Sequence, residues 1–397
     1  MSNPFRIPAT LDKFRTLISH NSISSVLAEY DQSNMAVINS LAGWLEELGF
    51  AVQILPLAGQ PGKANLVATL GQDHGQGGGL VLSGHTDTVP CNPEKWQSDP
   101  FTLTERNNRY YGLGSCDMKG FFALLLEAVE AFRHAEFKQP LIVLATADEE
   151  SSMSGARALS EQNALQLAAG THHKRRYAVV GEPTSLRPIR MHKGIMMENL
   201  RLTGRAGHSS NPALGISAMD AMHSVMGELL VIRQELAQRY QDAHFAVQSP
   251  TLNLGCIHGG DNPNRICGSC ELAFDLRALP GMSNDDLREE IRRRLTPLAQ
   301  QHQVELQLEP LFAGVDAFST PASSAIVQAC ERLTGASAEA VAFATEAPFL
   351  QNLGIETLVL GPGNIDQAHQ VDEYLAIDQI RPGIDLISQL INEFCLQ

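Results

Sequence analysis

His85 and Asp87 stand two residues apart, just after the short apolar run Leu80-Val81-Leu82-Ser83-Gly84. The same kind of junction recurs along the chain. Asp117 lies in Gly114-Ser115-Cys116-Asp117-Met118-Lys119-Gly120, ahead of the apolar stretch Phe121–Phe132. Glu149 and Glu150 follow Leu141–Ala147, Glu182 follows Tyr177–Gly181, and His369 follows a run ending at Leu360. Singly, each residue has an ordinary reading. A lone His is usually a hydrogen-bonded structural group, an Asp before a helix an N-cap, and adjacent glutamates a solvated surface. Jointly they are five junctions that each carry imidazole or carboxylate. Open α/β sheets bind ligands outside the carboxyl ends of their strands.

Imidazole mixed with carboxylate suits Zn(II), or other divalent ions such as Co(II) and Mn(II). Two His and three carboxylates are too many for one tetrahedral ion and suit two ions sharing a bridging carboxylate. In an extended segment His85 and Asp87 point to the same side. Asp87 is therefore expected to accept a hydrogen bond from the far nitrogen of His85. Neighbouring glutamates cannot both face one ion, so one of Glu149 and Glu150 can be a ligand. The other is the general base that faces the attacking water.

The elements that must hold these residues follow from patterning. Ile38, Leu41, Leu45 and Leu48 share one helical face, and Gly49 stops that helix. Ala51–Leu57 and Asn65–Leu70 read as strands, with Gly71–Gly79 as a polar hairpin tip between strands. Leu80–Gly84, Leu141–Ala145, Tyr177–Val180 and Glu356–Leu360 read as buried strands, Phe121–Phe132 as a helix, and a last helix follows Pro382. Strands alternating with helices predict an α/β fold, a mostly parallel sheet with helices on both faces. The middle differs. Glu198–Gly204, a long helix over Gly215–Tyr240, Thr251–Ile257, Glu271–Leu279, a helix over Asp286–Gln301 and Val304–Leu308 read β-α-β-β-α-β, the ferredoxin-like order. Ser283 and Asp286 form a candidate capping box. The expected organisation is one domain over 1–191 and 308–397, with a smaller one inserted at 192–307.

Composition bounds the function. The 397 residues carry 29 Lys plus Arg against 44 Asp plus Glu, a net −15. That charge disfavours nucleic acid and anionic membrane as partners and fits small-molecule chemistry. No apolar run reaches the length of a membrane helix, and the start has no basic-then-apolar leader pattern. Seven scattered cysteines read as reduced thiols of a cytoplasmic protein, with the Cys267/Cys270 spacing incidental. His192, His258, the His172-His173 pair and Lys174-Arg175-Arg176 read as structural or solvated, and Trp96 as either a cleft or a core residue. Arg265 in Asn262-Pro263-Asn264-Arg265 is a candidate for holding a carboxylate bidentately.

Ser83-Gly84-His85-Thr86-Asp87-Thr88-Val89-Pro90, Gly114-x-x-Asp117-Met118-Lys119-Gly120, Asp148-Glu149-Glu150 and Gly181-Glu182-Pro183-Thr184 resemble the dinuclear zinc aminoacylase and carboxypeptidase family. Thr251–Gly255 through Asn264–Cys267, Thr345–Phe349, and Gly361-Pro362-Gly363 through Gln367–Leu375 extend the resemblance, so that it covers essentially the whole chain. They are similar to the members that deacetylate N2-acetyl-L-ornithine in arginine biosynthesis. The resemblance implies a zinc-peptidase-like catalytic domain and an inserted lid that forms a homodimer. It implies that His85 and Glu182 hold one ion, that Glu150 and His369 hold the other, and that Asp117 bridges them beside a cis peptide to Met118. It makes Glu149 the base and Asp87 the carboxylate behind the metal ligand His85. His208, in Gly207-His208-Ser209-Ser210, matches a lid histidine that reaches a neighbouring subunit's site. The implied substrate is a small N-acyl amino acid, with Arg265 on its α-carboxylate and Glu346 as the candidate for its side-chain ammonium. The rivals are desuccinylation of succinyl-diaminopimelate, broad deacylation, and a non-catalytic paralogue that only captures amino acids.

Overall fold

The computed structural model of the chain describes residues 4–72, 78–162 and 176–397. His172, His173, Lys174, Arg175 and the centre of the Gly71–Gly79 stretch lie outside the described residues. The chain divides into two compact units. One is Met1–Arg190 with Thr320–Glu339 and Thr345–Gln397, and the other is Met191–Ser319 with Ala340–Ala344. No described helix is long and apolar enough to cross a membrane.

The first unit opens with α1 (Pro8–Ser19) and α2 (Met35–Glu47), then β1 (Ala51–Pro56), β2 (Ala64–Leu70) and β3 (Leu80–His85). Short strands β4 (Thr104–Arg106) and β5 (Arg109–Tyr111) precede α3 (Lys119–Glu130). β6 (Leu141–Thr146), α4 (Ser154–Glu161), β7 (Tyr177–Val180) and β8 (Ile189–His192) follow. In the large sheet β1, β2, β6, β3 and β7 are neighbours in that order. β6, β3 and β7 run parallel, while β1 and β2 are antiparallel flankers. Every residue of β3 and β6 is buried. Alternate strand residues face opposite sides, so this pattern requires cover on both faces, as parallel strands have. β2 pairs with β6, and β3 lies beyond β6. β2 and β3 therefore flank β6 and do not pair with each other as a hairpin.

The second unit holds β9 (Met196–Thr203), β10 (Gly207–His208), α5 (Ala218–Arg239), β11 (Thr251–Gly259), β12 (Arg265–Ile266), β13 (Ser269–Arg277), α6 (Asn284–Gln301), β14 (Glu305–Pro310) and β15 (Phe318–Ser319). Its four-stranded sheet runs β11-β13-β9-β14, all antiparallel, the ferredoxin-like topology. Alternation along β9 buries Met196, Leu200 and Leu202 against Val225, Leu229 and Ile232 of α5 and Ile291 and Leu295 of α6. Ser283 Oγ accepts the Asp286 N–H at 3.3 Å, which starts α6. The unit runs on to Ser319 because β15 turns back to pair with Met191 and His192. The His192 ring stacks on Phe318 there, at 5.1 Å between centroids. Cys267 and Cys270 are buried free thiols.

The first unit resumes with α7 (Ala325–Thr334), β16 (Glu339–Val341) crosses from it at Glu339 into the second unit, and α8 (Ala347–Asn352), β17 (Glu356–Val359), β18 (Tyr374–Ala376) and α9 (Ile380–Ile391) complete the first. α9 begins two residues before Pro382, a position near a helix start that tolerates proline. β17 joins the sheet parallel to β7, and β18 joins β5 and β4 in a small antiparallel sheet. Trp96 packs with Ile23 and Leu113, as core.

Past β17 the chain grazes the loop after β7. A Cβ at Gly361 would lie 2.1 Å from the Gly181 carbonyl oxygen and 2.5 Å from that of Glu182. Gly361→Ala is expected to push these two strand ends apart and to destabilise by about 1–3 kcal/mol, the usual cost of overpacking. Thermal unfolding reads this as a lowered Tm, and an unchanged Tm would show that the loop yields freely.

Candidate metal centre

The sheet register explains why residues distant in sequence meet. His85 is the last residue of β3 and pairs with Thr146, the last of β6, while Ser83 pairs with Val180, the last of β7. The turns carrying Glu149, Glu150 and Glu182 therefore leave the sheet at the level of His85. Asp117 enters from the loop before α3. It is not the N-cap, because Met118 occupies that position and no side chain caps the helix. The Asp117–Met118 peptide is cis.

Asp117 faces two ways. Its Oδ1 is 3.0 Å from His85 Nε2, and its Oδ2 is 3.9 Å from His369 Nε2. His85 Nε2 is also 4.0 Å from Glu182 Oε1, and His369 Nε2 is 2.9 Å from Glu150 Oε2. His85, Asp117 and Glu182 form one cluster of potential ligands and Asp117, Glu150 and His369 another, each with its donor atoms within 4.8 Å of one another.

One expectation needs correction. His85 Nδ1 bonds to the main-chain carbonyl of Asp87 at 3.0 Å, while the Asp87 carboxylate is 3.8 Å away. That carboxylate accepts the backbone N–H groups of Glu149 and Glu150, at 3.2 and 3.1 Å. β3 ends at His85, so strand alternation no longer governs where Asp87 points. Asp87 still fixes the proton on His85 Nδ1, through its carbonyl, and its side chain clamps the turn that presents both glutamates.

The electrostatics fit a bound cation. Burial pushes the Glu149 and Glu182 carboxyls well up, with Glu149 also repelled by Glu182 and Glu150. Burial likewise raises Glu150. Burial alone would lower the His85 imidazole, but its hydrogen bond to Asp117 and the charge of Glu182 hold it well above the usual range. Desolvation would raise Asp117, but the hydrogen bond from His85 together with the charges of His85 and His369 outweighs it, so Asp117 stays low. The hydrogen bond to Glu150 lifts His369 to about 8. Glu182 Oε1 is buried without a hydrogen-bond partner. Crowded buried carboxylates and an orphaned oxygen facing imidazole are what divalent ions would neutralise and saturate.

Glu346 stands at the start of α8, 1% exposed, beside Thr146. Neither of its oxygens makes a hydrogen bond of ordinary geometry, and burial pushes it up to about 7. It contributes charge repulsion at both Glu149 and Glu182. His208 and Arg265 belong to the second unit, where the two-stranded β10–β12 ladder makes them direct cross-strand partners. Opposed residues have Cβ atoms about 4.5–5.5 Å apart, so two motifs distant in sequence become one surface feature. Arg265 Nη1 donates to Asp261 at 2.6 Å, and Ser210 Oγ lies 2.7 Å from His208 Nδ1.

Glu373 is a buried residue to which no sequence motif gave a role. It is 1% exposed, and burial pushes its carboxyl up to about 8. Its oxygens accept the backbone N–H groups of Gly114, Cys116 and Asp117 at 3.0, 2.8 and 2.9 Å. The available signal was an acid in a loop four residues after His369, which resembles any polar turn.

Residues 81–393 match the family model described as Peptidase family M20/M25/M40. The chain is 47% identical over 390 residues to an acetylornithine deacetylase of Edwardsiella ictaluri (strain 93-146), covering 98% of this chain and 99% of the relative. It is 45% identical to an acetylornithine deacetylase of Pasteurella multocida (strain Pm70), with the same coverage. Among solved structures, an M20 family metallo-carboxypeptidase from Sulfolobus solfataricus superposes with a TM-score of 0.74 at 17% identity, over 97% of this chain and 99% of that one. A Staphylococcus aureus tripeptidase gives a TM-score of 0.73 at 18% identity, over 98% and 99%. The structural likeness establishes a shared fold, and the sequence likeness runs through all five junctions from which the centre is built. By descent as well as by architecture, the chain belongs to peptidase family M20/M25/M40 and is a hydrolase.

Proposed function

We propose that the chain removes the acetyl group from N2-acetyl-L-ornithine to give L-ornithine and acetate, using two divalent ions, Zn(II) or Co(II). The observation that carries this reading is Asp117, which presents one oxygen to each of two His–carboxylate groups. The substrate comes from relatives named for that reaction, at 45–47% identity over nearly the whole chain.

In this reading His85 and Glu182 hold one ion, Glu150 and His369 the other, and Asp117 both. Ions bound there supply Lewis-acid polarisation of the acetyl carbonyl and an acidified water. Glu149 takes the proton of the attacking water and returns it to the leaving amine. Asp87 keeps that base in place by holding its backbone N–H. His208 donates to the developing oxyanion, serving the neighbouring subunit of a homodimer formed by the second unit. Arg265, its ladder partner, grips the α-carboxylate. Glu346 takes the side-chain ammonium, which would saturate its unpartnered oxygens. The setting is arginine biosynthesis in the cytoplasm. A non-catalytic amino-acid binder would need the ligands but not a base beside them, so Glu149 next to Glu150 favours the enzyme.

Side-by-side hydrolysis of acetylornithine and succinyl-diaminopimelate, with Zn(II) or Co(II) present, tests the substrate. Acetylornithine is expected to be the better one, because a succinyl group needs a further cation for its distal carboxylate. Equal or higher kcat/KM on the succinylated compound would reassign the substrate and leave the deacylase chemistry standing. Removing one partner of a desolvated charged pair costs about 2–5 kcal/mol. Arg265→Ala should therefore lower kcat/KM for acetylornithine by about 30-fold or more. Arg265→Lys should recover only part, since an ammonium lacks the fork.

A further inference from the structure

Two buried carboxylates in the first unit do the same mechanical work on different loops. Asp87, 0% exposed, accepts the N–H groups of Glu149 and Glu150. Glu373 accepts those of Gly114, Cys116 and Asp117, with both of its oxygens engaged. Lys119 is buried as well, its Nζ donates to the His20 carbonyl at 3.0 Å, and the charges of Glu373 and Asp87 favour its ammonium against the cost of burial. A buried ammonium of this kind compensates the charge that the two carboxylate clamps bring inside.

Glu373 reaches Asp117 across the fold, and its own loop carries His369 four residues earlier. The Glu373 main chain is tied to the same place, because its carbonyl accepts the Gly112 N–H at 3.1 Å. The residue thus binds the Asp117 loop to the His369 loop. Of the ligands proposed for the Glu150–His369 ion, Asp117 and His369 both hang on this tie. Of those for the His85–Glu182 ion, only Asp117 does. We infer that Glu373 is a positioning residue that sets the Asp117–His369 spacing and thereby selects the affinity of the second of the two ion sites. The inference rests on the proposed two-ion centre.

The test is a calorimetric titration of the metal-free protein with Zn(II), repeated with Co(II) and followed by its visible absorption, on wild type and Glu373→Gln. Glutamine keeps the size but replaces one accepting oxygen with an NH₂ that opposes the backbone donors. Groups that orient metal ligands typically contribute about 10–100-fold in metal affinity. The expected result is two binding steps in the wild type and, in the variant, a weaker step falling by about that factor while the tighter step changes little. Glu150→Gln, read in the same way, identifies which step belongs to the Glu150–His369 site. Affinities unchanged at both sites, even with a lowered Tm, would overturn the inference, because a merely structural residue would give that result. Equal loss at both sites would also overturn it. Should Glu373→Gln not fold, Glu373→Asp is titrated instead, and failure of both to fold assigns Glu373 to stability alone. A wild type that binds no ion through these ligands would sink the proposed centre itself, an outcome distinct from failure of the Glu373 role.

Discussion

Glu149→Gln is expected to lower kcat for acetylornithine by about 10²–10⁴-fold, the usual contribution of a general base, with metal content close to wild type. Glutamine matches glutamate in size and can still be positioned by the Asp87 clamp on the backbone of residue 149, but it cannot take a proton from water. The neighbouring change provides the contrast. The Glu150 carboxylate is 2.9 Å from His369 Nε2 within one donor cluster, so Glu150→Gln should lose metal first and activity as a consequence. Steady-state kinetics together with metal analysis on both variants separates the roles. If Glu149→Gln sheds metal while Glu150→Gln keeps it, the assignments of base and ligand are reversed.

Removing the ions should be as severe. Transition-state stabilisation by a bound ion is worth several kcal/mol, and each 1.36 kcal/mol is tenfold in rate. A strong chelator should therefore reduce the rate by at least about 10³-fold, and Zn(II) or Co(II) should restore it at two equivalents per chain. The stoichiometry follows from the divided loyalty of Asp117, whose Oδ1 faces His85 and whose Oδ2 faces His369. Asp117→Asn should weaken both sites together, whereas His369→Ala should spare the His85–Glu182 site. Active, reconstituted protein that saturates at one ion would remove the two-ion scheme, and activity indifferent to chelation would remove metal chemistry altogether.

Local sequence carried a large share of this. Short apolar runs mark buried strands and period-2 and period-3.6 patterns mark half-buried strands and helices, so Leu80–Gly84, Leu141–Ala145, Tyr177–Val180 and the order of the β-α-β-β-α-β block were legible to within one to three residues at their ends. The acids and histidines at strand ends were legible because residue type and junction are both local properties. What the pattern could not decide was adjacency. The placement of β6 between β2 and β3, which keeps those two strands from forming a hairpin, depends on long-range pairing that no short window contains. The same holds for the destination of the Asp87 carboxylate, which went to the backbone of residues 149 and 150 and not to the His85 ring. His208 and Arg265 became ladder partners only through folding. The Glu373 clamp joins groups 256 residues apart in the chain. Sequence by itself determined the strands and helices that carry the site and the kind of chemistry, because burial and side-chain type act within a turn or a strand. The tertiary structure alone decided which carboxylate serves which nitrogen, because buried N–H groups must find acceptors, and the acceptors here come from distant loops that only the sheet brings together.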